Sequence, residues 1–287
     1  MYEPRQLERL SKKLDDQIED IMERVGIFHR IFYRVKTASS VTSKMERKSY
    51  NGTDSFLRDL IGIRVILYFP DDIEHVRDQL KKLFHLVEET IDRKEETNFE
   101  PSRINLIFRI PDGLTKEFRD HITDGRIDNT FEVQLRTILS EGWHEVEHDV
   151  RYKCKEDWEN HKDIARIFNG ILATLETSEW AILSLLNQIS YRHYKANNAE
   201  ALILTKFRLR FSHAKLSEPV KAVISEDILK QIIKIDRQEV LDYIYTSGII
   251  LPLTMDNFIF IINYMTLKKK DIQDLMPILV TNELGKA

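Results

Sequence analysis

One cysteine, Cys154, stands among 287 residues, which excludes an intrachain disulfide and, with no Cys-x-x-Cys pair, a cysteine-based zinc knuckle. Its thiol reads as reduced and structural. No apolar run approaches the roughly 18 residues that a membrane-spanning helix requires, and the opening Met1-Tyr2-Glu3-Pro4-Arg5 is charged, unlike a secretory signal. The expectation is a cytoplasmic chain with no membrane partner. An excess of basic residues is also missing. The 43 Lys and Arg against 47 Asp and Glu leave a net charge of −4, which argues against a general nucleic-acid binder. Glycine is scarce after Thr137, at Gly142, Gly170, Gly248 and Gly285, and no repeat of convincing fixed period is found. What is there, 42% hydrophobic and 31% charged, suits a globular chain with a substantial core in one large domain or two modest ones.

Charge is uneven along the chain. From His29 to Arg64 there are eight basic residues (Arg30, Arg34, Lys36, Lys44, Arg47, Lys48, Arg58, Arg64) against Glu46, Asp54 and Asp59, a local +5 that suits a compact polyanion such as a nucleotide. A solvated helix face is the alternative for any such run.

Leu7, Leu10, Leu14, Ile18, Ile21 and Val25 recur at helical spacing, so residues 5–26 read as an amphipathic opening helix ending near Gly26. Ile31–Val35 reads as a short strand, with Ser39 and Ser40 as N-cap candidates for a helix to about Lys48. Asn51-Gly52-Thr53 reads as a turn. Leu60–Phe69 is a near-continuous apolar run and predicts a buried strand, followed by helical periodicity from Asp71 to Leu86. After a polar stretch from Glu88 to Pro101, Arg103–Ile110 alternates as a strand. From Thr137 onward nearly everything looks helical: Ile138–Lys153, Lys162 to about Tyr194, then shorter pieces broken around Gly248 and Pro252. The fold expected is α+β, a mixed sheet of four to five strands flanked by helices over residues 1–194, with an all-helical extension over 195–287.

The most telling segment is Phe131–Thr137. Period-two alternation puts Glu132, Gln134 and Arg136 on one strand face and Phe131, Val133 and Leu135 on the other. Three polar groups on one sheet face require solvent or a polar ligand, because burying them unpartnered costs several kcal/mol. Just beyond, His144-Glu145-Val146-Glu147-His148 matches H-E-x-x-H, which on a helix sets two imidazoles one turn apart to grip zinc. A zinc hydrolase also needs a third ligand, and neither Glu176 nor Glu179 is marked as one.

Taken with Trp143, His148 and Tyr152-Lys153, the Phe131–Thr137 strand resembles the signature of the RelA/SpoT-type alarmone synthetases. So do Arg34-Val35-Lys36 with Ser40 and Lys44, and the segment from Arg58 and Asp59 through Gly62 to Arg64. The likeness runs from about Phe28 to Lys153, and three separated motifs in the family's order are more specific than any one alone. It implies a nucleotidyltransferase-like synthetase fold and Mg²⁺-dependent transfer of a pyrophosphoryl group from ATP to the ribose 3′-hydroxyl of a guanine nucleotide. By the resemblance, Arg34, Lys36, Ser40 and Lys44 hold the donor phosphates, Asp59 and Glu132 bind the metal, and Glu132 also orients or deprotonates the acceptor hydroxyl. Gln134, Arg136 and His148 join the nucleotide-binding set.

Between the second and third motifs the family has a basic stretch and a Gly-Tyr element, then a histidine; this chain lacks both the glycine and the tyrosine. Asn105 takes the histidine position, Arg103 supplies one cation, Arg93 or Lys94 stands in for the basic stretch, and Phe99 is the nearest stacking ring. That departure keeps two alternatives open: a toxin-like pyrophosphokinase acting on an adenine nucleotide or a tRNA 3′ end, and a non-catalytic nucleotide sensor. The helical extension leaves homo-oligomerisation through helical regions open as well.

Overall fold

The computed structural model describes residues 4–91, 104–122 and 124–286. Two compact units divide the chain, one formed by Met1–Glu19 and His29–Glu179, the other by Asp20–Phe28 and Trp180–Ala287.

The chain opens on α1 (Pro4–Val25), whose Leu7, Leu10, Leu14 and Ile18 are fully buried, as their spacing predicts. Gly26 ends it at φ +75°, a conformation that strongly favours glycine. Then come β1 (His29–Val35), α2 (Ala38–Lys48), β2 (Ile61–Leu67), α3 (Asp72–Leu83), β3 (Leu86–Ile91) and β4 (Ile104–Arg109). Next are α4 (Asp112–Asp120), β5 (Thr130–Thr137), α5 (Ile138–Glu147), a π-helical turn (His148–Tyr152), α6 (Lys155–Trp158) and α7 (Lys162–Lys195).

The five strands form one mixed sheet in the order β1-β2-β5-β4-β3. Only the β2–β5 pair is parallel, and the other three are antiparallel. One sheet face is core: Ile61, Ile63, Val65 and Leu67 of β2 and Phe131, Val133 and Leu135 of β5 are at most 1% exposed. Phe84, Phe108 and Phe131 meet there with ring centroids 5.1–5.7 Å apart.

Several expectations are corrected. The helix expected from Asp71 to Leu86 stops at Leu83, and part of the stretch read as polar loop is the edge strand β3. Its alternation is hidden by Glu88 and Glu89, which an edge tolerates because one side faces water. Thr37, not Ser39 or Ser40, caps α2, its Oγ1 accepting from the Ser40 backbone N–H. The helix expected through Lys153 widens into a π turn at His148. α4, which follows Pro111, was not expected from the sequence. Cys154 is exposed, so it does not serve as a packed structural thiol. The Asn51 turn is as expected: Asn51 Oδ1 accepts from the backbone N–H groups of Thr53, Asp54 and Ser55, with Gly52 at φ +76°.

The second unit contains α8 (Ala199–Phe207), α9 (Glu218–Val223), α10 (Glu226–Ile232), α11 (Arg237–Thr246), α12 (Met255–Ile262), a π turn (Asn263–Leu267), α13 (Lys270–Gln273) and α14 (Ile278–Leu284). Its core includes Phe207 packed edge-on against Phe258, with the half-buried Phe211 edge-on to the same ring. Among the described residues no helix is long and apolar enough to cross a membrane.

Candidate active site

Strand register assembles the polar face of the sheet. Arg34 of β1 pairs with Gly62 of β2, Gly62 with Glu132 of β5, and Glu132 with Ile107 of β4. The adjacent row runs Phe32, Arg64, Gln134, Asn105. Residues in register share a face, so four of the residues singled out from the sequence (Arg34, Glu132, Gln134, Asn105) stand side by side with Arg64. Gly62 sits in the middle of the first row, where a Cβ would make ordinary contact with Arg34 Cγ and Nε at 3.8 Å.

Asp59 enters from the segment leading into β2, and two lysines meet it. Its Oδ2 lies 2.6 Å from Lys44 Nζ and 3.1 Å from Lys36 Nζ. Arg64 does not pair with Asp59: it is held by Glu141 and Glu145 of α5, and its Nε donates to Gln134 Oε1 at 3.4 Å. Glu141 and Glu145 lie four residues apart on a helix, a spacing that puts both carboxylates on one face. Sequence reasoning missed Glu141 and placed Glu145 only in the zinc pattern.

The two acids have opposite proton affinities. Burial raises Glu132, and the charge of nearby Asp59 raises it further, against the Gln134 hydrogen bond (2.9 Å) and the pull of Lys36 and Lys44. Burial would raise Asp59 too, but Lys36 and Lys44 together outweigh it and hold Asp59 below the usual carboxylate range. Asp59 is therefore firmly ionised at neutral pH, beside a carboxyl that resists ionisation.

Glu132 lines two cavities. One, of about 180 Å³, is walled by Phe32, Arg34, Gly62, Arg64 and Glu145. The other, of about 380 Å³, is walled by Lys44, Tyr50, Phe56, Asp59 and Asn105. A group bound in either has Glu132 as a neighbour.

Not every expected residue joins this face as an open ligand-binding group. Arg136 shares the face by register but is only 6% exposed, and donates to the Leu135 carbonyl (3.0 Å) and to Asn105 Oδ1 (3.4 Å). Such contacts make it a support for Asn105. Ser40 lies in the exposed first turn of α2, with its hydroxyl 2.9 Å from that of Thr37. His148 lines neither cavity: it is exposed on the π turn, 2.9 Å from Asp149 Oδ1 and stacked on Tyr152. Arg93, Lys94, Phe99 and Arg103 lie outside the described residues.

For a metal ion the donor set is Asp59 and Glu132. Asp59 Oδ1 is buried with no hydrogen-bond partner among the described residues, an orphaned oxygen that a hard cation would satisfy. Magnesium takes one or two carboxylates and completes its shell with water and phosphate oxygens, so two acids beside a nucleotide-sized cavity fit it. The zinc pattern does not assemble. Among the described residues, the one group of three ligating side chains close enough to hold an ion is Asp15, Asp16 and Glu19, which excludes His144 and His148. Lys12 Nζ already sits 2.8–3.9 Å from all three of those acids.

Glu179, left without a role by the sequence, belongs to the scaffold. It is 5% exposed, and burial raises its proton affinity against the opposing pull of Thr137 and of the Leu139 and Ser140 backbone at the start of α5.

Residues 33–157 match the family described as "Region found in RelA / SpoT proteins". Over 133 residues, 43% of this chain, the sequence is 29% identical to the GTP pyrophosphokinase YwaC of Bacillus subtilis (strain 168). Over 125 residues, 42% of this chain, it is 26% identical to the GTP pyrophosphokinase YjbM of the same organism. The matched parts span 58% and 54% of those relatives, little more than half of each. A GTP pyrophosphokinase family protein from Streptococcus pneumoniae aligns in structure with a TM-score of 0.48 and 22% identity, over 61% of this chain and 87% of that one.

Proposed function

We propose, from the premise that residues 33–157 are a RelA/SpoT region, that this chain is a pyrophosphokinase transferring the β,γ-pyrophosphoryl group of ATP to the 3′-hydroxyl of a guanine nucleotide, GDP or GTP. The observation that carries the reading is the position of Glu132 as the wall shared by two cavities, with an arginine pair on one side and the Lys36–Lys44–Asp59 cluster on the other.

ATP takes the side of Arg34 and Arg64. Planar guanidinium groups stack on a base and bind phosphate through two N–H donors at once, whereas the lysine ammoniums act as point charges. Lys36 and Lys44, now on Asp59, turn to the triphosphate when it arrives. Asp59 and Glu132 would hold Mg²⁺, which when bound neutralises charge on the phosphates.

The acceptor lies on the other side of Glu132. Its 3′-oxygen forms a bond to the β-phosphorus, the bond from that phosphorus to the α–β bridging oxygen breaks, and AMP leaves. The hydroxyl proton passes to the Glu132 carboxylate, which Gln134 steadies from its own strand. Transfer of this kind asks a protein mainly for positioning and charge, which a rigid sheet face supplies.

The test is incubation of the full chain with radiolabelled ATP, Mg²⁺ and GDP, GTP, ADP, ATP or deacylated tRNA in separate reactions. A labelled product with GDP or GTP and matching AMP release is expected. Product with ADP, ATP or tRNA alone would move the acceptor to another class. Tight nucleotide binding without product would make the chain a sensor.

A further inference from the structure

The sequence lacks the Gly-Tyr element, its nearest substitute ring, Phe99, lies outside the described residues, and the larger cavity beside Glu132 offers two other rings. Tyr50 and Phe56 both line it, together with Glu132 and Asn105. Both are half-buried. Among the described residues neither ring packs on another aromatic ring, and the Tyr50 hydroxyl has no hydrogen-bond partner. Several other large rings of this unit do pack on rings: Phe84, Phe108 and Phe131 on one another, and Trp143 and Trp158 on Phe168.

The loop presenting these rings is tied down from within and from behind. Ser49, at φ 51°, turns the chain out of α2. The three backbone N–H groups accepted by Asn51 Oδ1 knot residues 51–55, and Gly52 N–H donates to the Ser55 carbonyl at 3.1 Å. Leu57, fully buried, bridges to Ile127, its N–H donating to the Arg126 carbonyl at 2.9 Å and its carbonyl accepting from Asp128 N–H at 3.0 Å. Arg58 continues the anchoring through Glu88 (2.6 Å) and Asp128 (3.5 Å). A loop bonded this densely holds its side chains in place before a ligand arrives, so little ordering is required on binding. A plain solvent loop would not need the knot, the bridge and the arginine anchor together.

We infer that Tyr50 and Phe56 form the wall on which the acceptor's base stacks, so that its ribose 3′-hydroxyl is delivered to Glu132. The inference rests on the pyrophosphokinase reading and adds the residues that position the acceptor. Stacking accepts any base, because each has a π face. The two rings therefore set acceptor affinity, while the choice of base falls to the polar groups around them.

The experiment uses the full chain with Tyr50→Ala, Phe56→Ala and the double variant, beside the ring-keeping Tyr50→Phe and Phe56→Tyr and the bulk-keeping Tyr50→Leu. Each is measured for KM toward GDP and toward ATP, for calorimetric affinity for GDP without ATP, and for fold by circular dichroism. Expected for each single Ala variant and for Tyr50→Leu is a roughly 5- to 150-fold rise in the GDP KM and dissociation constant, the range for loss of one base–ring stack. The ATP KM stays within about twofold and the ring-keeping variants stay near wild type. Unchanged GDP affinity in folded Tyr50→Leu and Phe56→Ala, with wild type active, overturns the inference and leaves the pyrophosphokinase reading standing. A wild type that transfers nothing yet binds GDP through these rings sinks the activity and supports the stacking wall. Failure of wild type to bind GDP overturns both.

Discussion

Replacing Asp59 by Asn should destabilise the first unit and do so in a pH-dependent way. Asp59 Oδ2 accepts from Lys44 at 2.6 Å and Lys36 at 3.1 Å, and the three side chains are only 16–24% exposed. A hydrogen bond to a charged group contributes about 1.5–3 kcal/mol, and removing one partner of a fully buried pair costs about 3–5 kcal/mol. Three features lower the figure here. The groups keep some solvent, Asn retains an acceptor oxygen, and losing the Asp59 charge relieves Glu132. The net expectation is a loss of about 1–2 kcal/mol at pH 7, with the gain at Glu132 already subtracted. Because the lysines hold Asp59 below its ordinary value of 3.8, its contribution is present above that pH and disappears as the pH falls through the folded value. Urea melts of wild type and Asp59→Asn at pH 7, 5, 4 and 3 should therefore show a gap that narrows below about pH 4. A variant as stable as wild type at pH 7, or a gap that widens on acidification, would refute the reasoning.

Glu132→Gln should act in the opposite direction. Burial and Asp59 raise the Glu132 pKa above its ordinary 4.5, so the carboxyl costs nothing below that pH and penalises the folded state as the pH rises. Denaturation at pH 7 should find the Gln variant more stable than wild type, with the difference gone below pH 4.5. Arg64→Lys, which keeps the charge but loses the planar fork, should raise the ATP KM about tenfold and leave the GDP KM alone; steady-state kinetics with each substrate varied decides it. Gly26→Ala should destabilise by roughly 1–3 kcal/mol in urea, because φ is +75° and the new Cβ would lie 2.3 Å from Leu253 Cδ2.

Much of the candidate site was legible because it lies on strands. Alternation in Phe131–Thr137 assigned Glu132 and Gln134 to one face, and register did the rest by bringing Arg34 and Asn105 alongside. What escaped depends on distant contacts. Whether Asp59 pairs with Arg64 or with lysines is decided by where α5 places Glu141 and Glu145, more than 70 residues away in sequence. The same alternation gave Arg136 to the ligand, while tertiary packing buried it under Asn105. Edge strand β3 was hidden because an edge need not alternate cleanly, and the π turn because a helical pattern does not reveal one inserted residue. Tyr50 and Phe56 gave no periodic signal at all, lying in a loop whose shape comes from the Asn51 side chain.

The most direct test of Glu132 as the group that receives the acceptor's proton is single-turnover AMP release by wild type and Glu132→Gln, with ATP, Mg²⁺ and GDP saturating. The account predicts a fall of about 10²–10⁴-fold, with the fold intact and GDP still bound. Turnover by the Gln protein within a few-fold of wild type would contradict it.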